Sequence, residues 1–174
     1  MTMIPPVKTE HVTFDPPEFG DLGMIPEIVV KPVSDERIWV QLEPNVWFRP
    51  LFFDMNAGSH GEVLRVRRGG VLSRHLHATP VHGFVVKGSW RYLEHSWVAT
   101  EGSYVLEPPG EIHTLTCDSD EEMQTVFFIQ GPTLYMDDED KVTLVEDNLY
   151  LIRTARAHYE KVGLGADFVN QFIR

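Results

Sequence analysis

The sequence predicts an all-β domain: a barrel of short strands with an extended arm before it and a helix after it. Three observations carry this reading. From Ile38 to about Met136 the apolar residues fall in short β-type runs, among them IWVQL, WFRPLFFD, HGEVLRVRR, HGFVVKG and MQTVFFIQG. Turn signals separate the runs at intervals of about ten residues, as at Asn56-Ala57-Gly58, Gly69-Gly70, Lys87-Gly88, Glu101-Gly102 and Pro108-Pro109-Gly110. Strands this short and this evenly spaced build a sandwich or barrel rather than a parallel sheet. Glycine and proline, 13 and 12 residues, are scattered among the turns and not gathered in one tract.

Taken in order, residues 1–26 are proline-rich (Pro5, Pro6, Pro16, Pro17, Pro26) and lack periodicity, so they read as an extended arm. Residues 1–37 hold this arm and the entry to the strands, 38–136 the barrel core, and 137–174 a helical extension. Within FFIQGPTLYM, Pro132 ends a strand or marks a bulge. In the tail, Asp147 and Asn148 are suited to cap a helix, and Leu149, Ile152, Ala155 and Tyr159 then recur at helical spacing. Gly163 and Gly165 close that segment, and ADFVNQFIR reads as a second, shorter helical turn. A chain of 174 residues suffices for one domain with a single core.

Composition narrows the function. The chain carries 26 acidic and 15 basic side chains, for a formal net charge of −11. Such a surface repels phosphate backbones and anionic lipids, so neither nucleic acid nor membrane is an expected partner. Cys117 is the single cysteine, which rules out an intramolecular disulfide and a thiolate metal cluster. The first residues, MTMIPPVKTEHVTF, show no basic start followed by an apolar stretch, and the default expectation is a cytoplasmic protein.

The histidines carry the chemistry. Of eight, five lie between His75 and His113. His75 and His77 stand two apart in SRHLHATP, and residues i and i+2 of a strand share a face, so both imidazoles can reach one point. Imidazole is a good ligand for iron, zinc, copper or nickel. Two imidazoles are too few for a tight site, so a third ligand must come from another strand, and His113, after the Pro108-Pro109-Gly110 turn, is the natural candidate.

Glycine spacing around these residues adds a resemblance. Gly69-x5-His75-x-His77-x4-His82-x5-Gly88 resembles the first motif of the cupin superfamily, and Gly102-x5-Pro108-x-Gly110-x2-His113 resembles the second. The resemblance implies a cupin barrel, a jelly-roll-like double-stranded β-helix, holding a metal through His75, His77 and His113. Three departures stand out. His82 replaces the glutamate that many cupins supply as a fourth ligand, Cys117 replaces the asparagine that often closes the second motif, and the glycine after His82 comes one residue early. A carboxylate from Glu94 or Glu107 is a further candidate for the vacant role.

The whole chain also resembles the 2,4'-dihydroxyacetophenone dioxygenase group of bacterial cupins, from the proline-rich arm through RHLHATPVHGFVVKGSWRYLE and PPGEIHTL to LGADFVNQFIR. That resemblance implies a non-haem iron enzyme, with Fe(2+) as cofactor and O2 as co-substrate. It would cleave a C–C bond in the side chain of a small aromatic ketone, giving 4-hydroxybenzoate and formate. The proton acceptor such chemistry needs falls to His82, Glu94 or Glu107. An apolar wall for the ring falls to strand aromatics, with Phe84 (sharing strand parity with His82) and Trp90 foremost. Acetylacetone-type β-diketone dioxygenases and zinc-binding sensor cupins are the alternatives. Cupins of this group usually associate, so a homo-oligomer, dimer or tetramer, is expected.

Overall fold

The computed structural model describes residues 27–32 and 34–174; the arm predicted over 1–26 lies outside the described residues. Twelve strands follow: β1 Val40–Glu43, β2 Val46–Asp54, β3 Ser59–Val66, β4 Val71–His77, β5 Val81–Lys87, β6 Ser89–Tyr92, β7 Ala99–Thr100, β8 Tyr104–Glu107, β9 Ile112–Thr116, β10 Met123–Gln130, β11 Thr133–Met136 and β12 Val142–Glu146. They pair antiparallel into two six-stranded sheets, β1-β2-β3-β10-β5-β8 and β12-β11-β4-β9-β6-β7. Pro132 separates β10 from β11, because a residue without an N–H cannot extend the ladder. Strand β12 lies within the segment 137–174 and completes the edge of the second sheet.

The inward side chains of both sheets form the main core, with Leu64, Val66, Val85, Trp90, Leu115, Met123 and Phe127 among its members. Close packing explains two glycines. Gly83 points inward opposite Phe127, whose ring would lie 2.8 Å from any added Cβ. Gly88 turns the chain between β5 and β6 at φ +67, and a Cβ there would meet the Glu122 carbonyl oxygen at 2.6 Å.

A second core joins the tail to the barrel. Helix α1, Asn148–Lys161, starts at Asp147, whose carboxylate accepts from the Tyr150 N–H at 2.8 Å. Its apolar side, Leu151, Ile152, Ala155 and Tyr159, packs with Val40, Phe48 and Phe53. Leu149, expected on that side, faces solvent, and Leu151 takes the buried place. The expected second turn is a 3-10 helix, Ala166–Phe172. The chain end is then tied to β2 by the Arg174 N–H donating to the Phe53 carbonyl at 2.8 Å.

Candidate metal centre

Strands β4 and β9 lie side by side, with His75 opposite His113 in register. Period-two alternation turns His75 and His77 inward on β4 and His113 inward on β9, and all three are buried. Ring centroids are 4.6 Å apart for His75–His113, 5.0 Å for His75–His77 and 5.6 Å for His77–His113. One ring nitrogen of each falls within 4.8 Å of the others, so the three point at one spot.

Neighbouring groups set the rings. The Nδ1 of His75 lies 2.6 Å from the Ser73 carbonyl. A carbonyl only accepts, so Nδ1 carries the hydrogen and Nε2 keeps its lone pair. His77 Nδ1 faces the Thr133 hydroxyl at 3.3 Å. His113 stacks on Tyr92, with centroids 3.9 Å apart and planes 9° from parallel. Burial pushes His75 down to about 4 and, aided by His75 and His95, pushes His113 down to about 3. His77 is held well below the ordinary value for the same reason. All three imidazoles are therefore neutral at pH 7, as ligation requires.

A fourth group enters from the other sheet. Glu107 ends β8, and its Oε2 lies 3.3 Å from His77 Nε2 and 3.6 Å from His113 Nε2. Burial raises this carboxyl to about 7, against the opposing hydrogen bond from the Tyr92 hydroxyl. With the imidazoles neutral, these contacts are not ion pairs. Glu107 Oε2 and both nitrogens of His113 are buried without a hydrogen-bond partner. Buried polar atoms left without a partner cost free energy, and a cation held between the Glu107 oxygen and the imidazole lone pairs would remove that cost. The donor set of three imidazole nitrogens, with a carboxylate oxygen beside it, suits a first-row transition metal.

The site opens on a cavity of about 30 Å³, lined among others by Glu62, Glu146, Thr133 and Tyr135. Burial raises Glu62 to about 8 and Glu146 to about 7. Neither was singled out from the sequence. For Glu62 the signal was its parity with the apolar Leu64 and Val66 on β3; for Glu146 there was none.

Four sequence-predicted residues are not brought to the three histidines. His82 and Phe84 lie on the outer face of β5, exposed, because Val81, Gly83 and Val85 take the inward positions. His82 instead pairs with the Tyr104 hydroxyl at 2.8 Å. Glu94 accepts from the N–H and hydroxyl of Thr114, both at 2.9 Å, on the side of β9 away from His113. Trp90 is sealed in the core against Tyr92, Trp97 and Phe127 and does not line the cavity. Cys117, where many cupins place an asparagine, is likewise buried in the core.

Two facing antiparallel sheets with a histidine cluster between them define a cupin. The chain belongs to the ChrR cupin-like domain family, which matches residues 27–134. Among solved structures it is similar to an RmlC-like cupin protein from Ralstonia eutropha JMP134, at 28% identity and TM-score 0.67, over 78% of this chain and 90% of that one. It is also similar to an acetylacetone dioxygenase from Acinetobacter johnsonii, at 20% identity and TM-score 0.71, over 78% of this chain and 95% of that one. A protein of unknown function with a cupin-like fold, also from Ralstonia eutropha JMP134, gives 22% identity and TM-score 0.64, over 68% and 75%. No curated protein matches the chain. Among the described residues, no helix is long and apolar enough to cross a membrane.

Proposed function

We propose that the protein is a non-haem iron(II) dioxygenase that cleaves a C–C bond in the side chain of a small aryl hydroxyketone. The substrate we assign is 2,4'-dihydroxyacetophenone. With one O2 it has the atoms of the two products, 4-hydroxybenzoate and formate. The observation that carries the reading is the convergence of three buried, neutral imidazoles on one point beside a carboxyl raised to about 7.

His75, His77 and His113 are the residues that hold the metal. Iron(II), when bound there, supplies a Lewis-acidic charge for the substrate's oxygens and the redox capacity that O2 chemistry requires. Glu107 is the proton acceptor for the carbon bearing the hydroxyl, since a group titrating near the working pH both accepts and releases protons. The Tyr92 hydroxyl fixes that carboxyl, and the Ser73 carbonyl and Thr133 hydroxyl fix the rings of His75 and His77. Leu72, Leu115, Phe127 and Ile129 line the cavity and exclude water. At about 30 Å³ the cavity holds about one or two water molecules, so an aryl ketone enters only as lining side chains give way.

That small volume favours a second reading, a zinc-holding sensor. Three histidines and Glu107 make up the four ligands of a closed tetrahedral site, and the family carries the ChrR name. Oxygen uptake by iron(II)-loaded protein, with 2,4'-dihydroxyacetophenone and acetylacetone offered side by side, separates the readings. The expected result is one O2 consumed per aryl ketone with 4-hydroxybenzoate and formate formed, abolished in His75→Ala. Turnover of acetylacetone alone would move the substrate to β-diketones. No uptake from either, in protein that refuses iron yet retains zinc, would replace the enzyme with the sensor.

A further inference from the structure

Strands β10, β5 and β8 are consecutive in the first sheet, and their outward positions carry no aspartate, glutamate or arginine and one lysine, Lys87, which stands opposite Gln124 at the end of β5 and pairs with Glu122. The others are Gln124, Val126, Phe128 and Gln130 on β10, His82, Phe84 and Val86 on β5, and Tyr104 and Leu106 on β8. Register aligns them in rows. Phe128, His82 and Leu106 form one, and Val126, Phe84 and Tyr104 the next. The rings touch across the rows, with centroids 5.0 Å apart for Phe84–Tyr104, 6.5 Å for Phe84–Phe128 and 6.3 Å for Phe52–Phe128. Phe84, Val86, Tyr104, Leu106 and Phe128 are each 40–55% exposed.

A face whose one cation sits at the margin, paired with Glu122, is not ordinary solvated surface in a chain of net charge −11. Nor is it guarded as exposed sheet edges usually are. β8 is the last strand of its sheet, and its outward side chains are a tyrosine and a leucine where a lysine or proline would deter pairing. At about 150–250 Å² for a whole aromatic side chain, half-exposed residues of this size leave roughly 400 Å² of contiguous apolar surface.

We propose that this face is where a second copy of the chain docks, patch against patch about a two-fold axis. A stable interface needs about 800 Å² per partner with an apolar centre and a polar rim. The patch supplies about half of that as centre, and Gln124 and Gln130 stand at its margin. A two-fold places like against like, which suits a surface that is mostly apolar and whose one cation, Lys87, is already paired with Glu122. It is also where two such acidic molecules meet without bringing carboxylates together. Of the one polar pair inside it, His82 Nδ1 and the Tyr104 hydroxyl satisfy each other at 2.8 Å, which leaves His82 Nε2 for the partner copy or a water to meet.

Light scattering of the full-length protein from about 1 to about 100 µM tests this. It is run beside Phe84→Glu, Leu106→Lys and a control, Val145→Glu, whose site is exposed on β12 of the other sheet. The wild type is expected to scatter as two chains or a multiple of two. Both patch variants are expected to halve that mass or more, with a dissociation constant raised at least about 100-fold and unchanged circular dichroism, since both positions face outward. The control keeps the wild-type mass. A wild type that is a single chain throughout overturns the proposal and gives the face to another occupant, such as residues 1–26. An assembly that survives both patch substitutions, or falls apart only in Val145→Glu, overturns it equally.

Discussion

Glu62 offers a sharp test of the interior electrostatics. Burial, with Glu146 adding to it, lifts its carboxyl from 4.5 to about 8 in the fold. Between those values the folded protein keeps a proton that the unfolded chain releases, so stability falls as pH rises, by about 1.4 kcal/mol per unit. The loss is about 3 kcal/mol at pH 7 and approaches about 5 kcal/mol above pH 8. Glu62→Gln is neutral in both states and keeps the shape, so it escapes the loss. The variant should match the wild type near pH 5 and exceed it by several kcal/mol at pH 8, a urea midpoint higher by about 2 M. Urea titrations followed by tryptophan fluorescence at the two pH values, in EDTA so that metal linkage does not enter, give the difference directly. A gap that stays constant with pH, or one favouring the wild type at pH 8, would mean that Glu62 is ionised inside the barrel and would refute the argument from burial.

Two further outcomes bear on the scaffold. Leu151→Ala removes a fully buried side chain from the contact between α1 and the barrel and should cost about 3 kcal/mol, read as a lowered urea midpoint with unchanged metal content. Gly88→Ala puts a Cβ where φ is positive and a backbone oxygen is 2.6 Å away; a loss of at least about 2 kcal/mol is expected, and a loss below about 0.5 kcal/mol would show that the β5–β6 turn relaxes freely.

The three histidines were legible because a strand's period of two and a proline-glycine turn are local rules that the sequence states openly. The face of β5 was not. In VHGFVVK both alternating sets contain apolar residues, and the inward set is disguised by Gly83, which is small because the Phe127 ring occupies its space. That ring arrives from β10, more than forty residues later, so the local sequence offers His82 and Phe84 as candidates for the cavity while the packing turns them out. Glu107 stood among the open candidates for a carboxylate, but nothing local distinguishes a strand-end glutamate that is buried from one that is solvated. The helix shows the same limit in miniature. Its cap at Asp147 was readable, yet Leu149 and Leu151 exchange places because the buried side is chosen by what it meets on β1 and β2.

All three histidines ride on adjacent strands of one sheet, while Glu107 comes from the edge of the other. The site is therefore built from two walls, and the Tyr92 hydroxyl, on β6 of the histidine sheet, reaches across to hold the carboxyl of the opposite wall. The strand that carries Glu107 presents Tyr104 and Leu106 on its outer side. Four residues thus serve two surfaces at once, closing the histidine site on one side of the sheet and offering apolar area to the outside on the other.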